Sequence, residues 1–490
     1  MSRRDKNLIE IRNLKLEIRL ISYFRAMFDK ILKYKNLAII SLVAIFFLTS
    51  GLGCKGTPGK LAEKAKPINL VYWRMDDGQD AFSGILQGFK ALYPHVSITY
   101  QLIRPEEYEQ ALLEAWAEDR GPDIFSIPNT WLGKYQTKIL PLAVPDTLTV
   151  AHQVTKGTIK KETTIVEETI KTPNLRDLQN NFVETVPKDV IIDNNLYGLP
   201  LSLDVLSLYY NRDLLNNAGI ANPPQTWQEF VDNTRLLTLQ DRNGNFIQSA
   251  APLGTAKNIT NATDILSLLM LQNGTPIVGD QGRAVFDQPA RDVYCDEPPC
   301  FPGREALRFY TSFATPGNEV YTWDEKMTDG FESFAQGKTA FLFGYSDYLL
   351  KLRQAAPKLN FDITKAPQIS GSLKEVNYAR YLVETISKKT KYPNEAWAFV
   401  LYAATAQNTK TFLGIAKHPT CHRALIKDQL EDFDLAPFAK AVLTAQTWYR
   451  GKNYSLVDEA FKEMVENVLN KTKTIQEALI YCAQKVNLTY

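Results

Sequence analysis

Residues 197–220 read YGLPLSLDVLSLYYNRDLLNNAGI. Gly198 and Pro200 mark a turn. The Leu-, Val- and Tyr-rich run after them is a strand, and NRDLL starts a helix. PPQTWQEF (223–230) comes next. Thr226 is placed to cap a helix, and Glu229 three residues on completes a capping box. That helix is expected through WQEFVDNTRLLTLQ. DRNGN (241–245) reads as a turn, because the later ligand positions of a calcium loop are missing.

Upstream, strand and helix patterns alternate. INLVYW (68–73) is an apolar strand. FSGILQGFKALYP (82–94) spaces Phe82, Ile85, Leu86, Phe89 and Leu92 along one helical face. VSITYQLI (96–103) alternates as a strand does. EEYEQALLEAWAEDR (106–120) is helical, Gly121-Pro122 breaks it, and DIFSIP (123–128) is a third strand. This order implies a parallel α/β sheet. Residues 146–190 differ: a Thr-, Val- and Lys-rich stretch alternates around Lys156-Gly157 and reads as an exposed hairpin or an insertion. Downstream, AFLFG (340–344) is a strand, NEAWAFVLYAATA (394–406) a helix, and the last hundred residues are mainly helical.

Five segments in this order resemble the family 1 extracellular solute-binding proteins of ABC importers, the class typified by maltose-binding protein. They are FKALYPHVSITY, GPDIFSI, the opening stretch, PPQTWQEF and FAQGKTAFLFGYSDYL, spread over about 67–410. The resemblance implies an α/β fold of two lobes, each a mixed sheet flanked by helices, with the ligand cleft at the hinge. It implies lobe 1 from 67–195 plus about 386–440, carrying the insertion 146–190, and lobe 2 from 196–385 plus about 441–490. Crossings are expected near 190–200 and 376–388. The implied partners are a small solute and the permease subunits of an ABC importer, with the protein a monomer.

Open α/β sheets bind ligands at the carboxyl ends of their strands and at crossovers. By that rule the first strand offers Trp73, Arg74, Asp76 and Asp77, and the third offers Asn129 and Trp131. The first crossover offers Asp204. The strand AFLFG offers Tyr345 and Asp347, the second crossover Arg380 and Tyr381, and the late chain Trp448 and Arg450. Aromatic faces cover the apolar face of a sugar ring, and planar polar groups satisfy its hydroxyls. This set supplies both, so a sugar or oligosaccharide is the expected solute. Trp227 is expected to pack rather than to touch ligand.

The N-terminus sets the compartment. Residues 1–36 carry a net charge of +6, and a 12-residue apolar run, Leu37–Leu48, follows. That run is short for a membrane span and fits the core of a secretion signal. The expected signal is 1–53, and Met27 offers a start that gives it ordinary proportions. Cys54 follows small residues and resembles the lipidated cysteine of bacterial lipoproteins, although Gly51 stands where that pattern prefers Leu. Residues 54–66 read as a flexible tether. The expected place is therefore the outer face of the cell membrane.

The whole chain carries +2, so residues 54–490 carry −4, and no nucleic-acid footprint remains. Beyond Cys54 there are four cysteines. Cys295 and Cys300 in CDEPPC can clip a local loop, and Cys421 with Cys482 is the leftover pairing. No nucleotide or metal motif is present, and no cofactor is expected. A secreted glycoside hydrolase is the alternative, with Asp76-Asp77 its candidate carboxylates, but no GxSxG, HExxH or P-loop occurs. The binding subunit of a sensor is a third reading on the same fold.

Overall fold

The computed structural model describes residues 66–490 apart from 145, 157–161 and 291–297, with a few positions between 19 and 30. The chain divides into two compact units, Met1–Glu63 and Lys64–Tyr490. Cys54 and the apolar run lie outside the described residues. Among the described residues, no helix is long and apolar enough to cross a membrane.

The second unit opens with β1 (Ile68–Arg74), α1 (Gln79–Leu92), β2 (Val96–Leu102), α2 (Pro105–Ala117) and β3 (Ile124–Pro128). β1 pairs in parallel with β2 and with β3. Parallel neighbours need a long crossover, which α1 and α2 supply. α1 buries Ala81, Phe82, Ile85 and Phe89, while Leu92 at its end is exposed. β4 (Thr147–Lys156) and β5 (Glu162–Lys171) form an antiparallel hairpin where the sequence alternates either side of Lys156-Gly157. α3 (Thr185–Val190) follows.

The opening stretch then changes sheets. Leu199, Leu201, Leu203 and Val205 are buried in a first apolar core with β1, β3 and α1, whereas Leu206 and Leu208 belong to a second. β6 (Asp204–Val205) is the crossing, and β7 (Ser207–Asn211) starts the second sheet. α4 (Trp227–Leu237) and α5 (Ala262–Gln272) pack beneath it, and β8 (Phe341–Gly344) and β9 (Phe361–Lys365) flank β7, both antiparallel to it. A central strand covered on both faces explains why its sequence is continuously apolar rather than alternating. The Thr226 hydroxyl accepts from Glu229 N at 3.2 Å, as the capping pattern predicts. The Glu229 carboxylate instead takes the Gln225 N–H at 2.7 Å, so only half of the box forms. Trp227 is buried and stacks on Phe343, with its N–H on Gln272.

β10 (Asn377–Arg380) returns the chain to the first lobe, where β11 (Leu382–Ile386) closes the sheet antiparallel to β3, and α6 (Pro393–Ala403) and α7 (Ala406–Ala416) cover it. β12 (Ala445–Gln446) is the third crossing and leads to α8 (Tyr454–Leu469) and α9 (Ile475–Asn487) in the second lobe. β12, β10 and β6 pair side by side into a small sheet that joins the lobes.

The cores change over at 205/206, 378/379 and between 445 and 448. The first change falls ten residues after the expected 195/196 boundary, because the YGLP turn is held to the first lobe. Leu199 N donates to Glu384 O and Glu384 N donates to Leu199 O, at 3.2 and 2.9 Å. A Cβ at Gly198 would collide with that same Glu384 carbonyl. Only glycine lets the two backbones approach this closely.

Cys300 is disulfide-bonded, and Cys295 lies outside the described residues. The expected Cys421–Cys482 bridge is corrected: both are free, buried thiols. Cys421 sits in the first core and Cys482 in the second, so neither can reach the other.

Candidate functional site at the lobe junction

Side chains alternate along β10 and the residue after it. Arg380 enters one polar cluster at the junction, and Tyr381 enters another.

The Arg380 cluster starts where β1 ends. Arg74 is 1% exposed. Its guanidinium pairs with Glu384, lies 2.9 Å from Asp77 Oδ2 and is bracketed by the rings of Phe82 and Phe412. Asp77 adopts a φ of 66°, uncommon for a residue with a side chain. The Tyr100 hydroxyl pins its carbonyl at 2.6 Å. The turn delivers Asp77 Oδ1 to His418 Nε2 at 2.8 Å. His418 Nδ1 lies 3.2 Å from Ser346 Oγ, which lies 2.6 Å from Asp204 Oδ2. The Ser346 N–H also donates to Asp204.

Arg380 covers the ring of Tyr345 at 3.9 Å, and its guanidinium is 3.9 Å from Asp347 Oδ1. Its side chain keeps 47% of its surface accessible. The Tyr345 hydroxyl donates to Asp264, as does that of Tyr454.

The electrostatics follow from this packing. Burial pushes Asp77 up, but the His418 hydrogen bond and the Arg74 charge pull it further down, to about 2. Burial raises Asp204 to about 6 against the opposing influence of His418 and Ser346. Burial also raises Asp76. Burial disfavours the charged form of His418, yet the bond and charge of Asp77 hold it above its ordinary value.

The second cluster centres on buried Asp189 of α3. Its carboxylate accepts from Tyr381 at 2.8 Å, Thr447 at 2.7 Å, Arg450 at 2.5 Å and Asn129 at 3.3 Å. A pocket of about 550 Å³ lies beside it, lined by Thr185, Lys188, Glu375, Thr444, Thr447 and Arg450 among others.

The residues expected at the site therefore divide. Asp76, Asp204, Asp347 and Arg380 come together at the first cluster with access to solvent, and Asp77 joins them with its carboxylate buried against His418 and Arg74. Trp131 is half-buried beside Tyr135, with Lys134 over its ring. Trp73 is half-buried against the first core. Arg74, Asn129, Tyr345, Tyr381 and Trp448 are buried and already satisfied by protein partners, so here they are struts. Trp448 donates to Ser267 and stacks on Phe461. His418, Ser346, Asp189 and Thr447 were not foreseen. Nothing local to KHPTCHR announces a lobe-to-lobe contact.

The family described as bacterial extracellular solute-binding protein matches residues 73–410. The chain belongs to this family. It is one of binding proteins rather than enzymes, and its members work outside the cytoplasm. The chain is 23% identical over 299 residues to the multiple sugar-binding protein of Streptococcus mutans, covering 61% of this chain and 67% of that one. It is 24% identical over 197 residues to a putative binding protein of Brucella abortus, covering 39% of this chain and 42% of that one. The match thus spans about two-fifths of the Brucella relative. Among solved structures, a cyclo/maltodextrin-binding protein complexed with maltotetraose aligns over 86% of this chain and 97% of its own, with a TM-score of 0.65 and 15% identity. The cyclic α-maltosyl-1,6-maltose binding protein of Arthrobacter globiformis aligns over 86% and 99%, with a TM-score of 0.67 and 17% identity. The two-lobed solute-binding fold is thereby shown.

Proposed function

We propose that this solute-binding protein captures a sugar or oligosaccharide between its lobes and hands it to the permease of an ABC importer. The observation that carries the reading is the Arg380 cluster. It gathers Asp76, Asp204, Asp347 and a half-open guanidinium from both lobes and the joining sheet, with Trp131 near the end of β3. Planar carboxylates and a guanidinium form bidentate hydrogen bonds to vicinal hydroxyls, and a half-open indole covers a ring face. Relatives named for multiple sugars and maltodextrin favour the same class. Capture needs only a higher affinity of the closed form than of the open one, so no covalent step is required. The protein acts as a monomer tethered outside the membrane through a lipid on Cys54. A thermal-shift screen against maltodextrins, cyclodextrins and monosaccharides tests the ligand class. A rise in melting temperature with one saccharide family supports it, and no rise with any carbohydrate refutes it.

A further inference from the structure

We propose that His418 and Asp204 share one labile proton that latches the two lobes together, so that closing takes up a proton. The proposal rests on capture by lobe closure, but not on the ligand being a sugar.

The argument is a count of protons. His418 belongs to the first lobe: Phe412 before it and Cys421 after it lie in the first core, and Pro419 O accepts from Leu203 N. Ser346 belongs to the second, following β8 and the buried Tyr345. Asp204 sits at the crossing. The contacts Asp77–His418, His418–Ser346 and Ser346–Asp204 each need one hydrogen. Asp77 holds its charge, so Nε2 carries the first. A neutral imidazole then has none left for Nδ1, and the serine hydroxyl can serve only one neighbour. One link stays unmade unless the chain gains a proton. On Nδ1, that proton makes Ser346 an acceptor from His418 and a donor to Asp204. On Asp204 Oδ2, it reverses both bonds and leaves the imidazole neutral. Either placement completes all three links.

The surroundings let both sites hold it. His418 faces Asp77, Asp76 and Arg74 from the end of β1, and Ser346 and Asp204 from across the junction, with Arg380 beyond Asp204. From behind come the Phe412 ring and the Gln429 amide, which donates to the His418 carbonyl. Lys417 turns away to Asp432. Burial raises Asp204 to about 6, and the bond and charge of Asp77 raise His418 against its own burial, so both are shifted towards binding a proton. Opening parts His418 from Ser346 and admits water, which removes the need for the extra proton. By linkage, the ratio of closed to open forms falls by up to about tenfold for each pH unit above the pKa of the shared proton.

The test uses full-length protein without solute, so that an error in the sugar reading cannot affect it. Dyes on non-canonical residues at exposed Leu113 and Leu236, one on each lobe, report closure by single-molecule energy transfer from pH 5.5 to 8.5. Wild type should lose the closed population as pH rises. Asp204→Asn, whose amide donates permanently to Ser346, should remain closed across the range. His418→Gln leaves Asp204 as the one holder of the proton, so its loss of the closed population should move to lower pH than in wild type. A flat wild-type profile overturns the proposal, as does either variant tracking the wild-type pH dependence. Circular dichroism at each pH confirms that the variants are folded.

Discussion

Replacing Glu384 by Gln tests whether Arg74 is a strut or a ligand contact. Glu384 is 2% exposed and accepts from Arg74, from the Tyr72 hydroxyl at 2.6 Å and from Ser126. These donors stand on β1 and β3, and Glu384 on β11, so one carboxylate ties three strands of the first sheet. Gln keeps the volume and an acceptor for Tyr72, but leaves the buried Arg74 guanidinium with Asp77 as its one ion pair among the described residues. Breaking a buried pair on one side costs about 3–5 kcal/mol. The surviving Asp77 contact puts the expected cost near about 3 kcal/mol. For a lobe of this size that lowers the melting temperature by roughly 6–12 °C. Arg74→Met retains the stem between Phe82 and Phe412 and should cost a similar amount. The double variant R74M/E384Q then has no unpaired charge, and should lose less than the sum of the singles by about 0.5–3 kcal/mol. Melts followed by circular dichroism, with urea titrations for free energies, supply the cycle. A melting temperature within 2 °C of wild type for E384Q, or additivity of the two singles, refutes the strut assignment.

Three further outcomes follow from the same packing. Arg380→Gln should weaken binding of whichever saccharide stabilises the protein by about 10–100-fold, the worth of a charged hydrogen bond, and should barely move the melt; calorimetry and a thermal scan read the two separately. Trp448→Ala should do the reverse, costing about 3–5 kcal/mol of stability through its cavity, as read by urea denaturation. Gly198→Ala should cost about 1–3 kcal/mol, because its new methyl meets the Glu384 carbonyl; native-state hydrogen exchange at Leu199 and Glu384 N–H should rise with it.

The architecture was legible because it depends on pattern. α1 and β1–β3 announce themselves by periodicity and by Pro and Gly stops. The hairpin of β4 and β5 announces itself by alternation either side of Lys156. The lobe boundary was legible to about ten residues only, since nothing in YGLPLSLDV marks where burial passes from one core to the other. Both halves of that stretch are apolar. The switch is set by the Leu199–Glu384 bridge, a contact between residues 185 positions apart.

The site divided for a similar reason. Ends of strands could be located, and from them Asp76, Asp204, Asp347 and Arg380 meet at the junction with access to water. Which of two neighbours faces out could not be located, because it turns on a register that sequence does not fix. Arg380 and Tyr381 are adjacent and equally polar at their tips, yet one stays half-open and the other is consumed by Asp189. Arg74 and Asp77 are both buried: the arginine is spent on Glu384, and its charge adds to the His418 hydrogen bond in holding Asp77 ionised. A buried strut thus adds to what keeps its buried neighbour ionised. Substituting Arg74 should therefore alter the junction without any contact between Arg74 and solute.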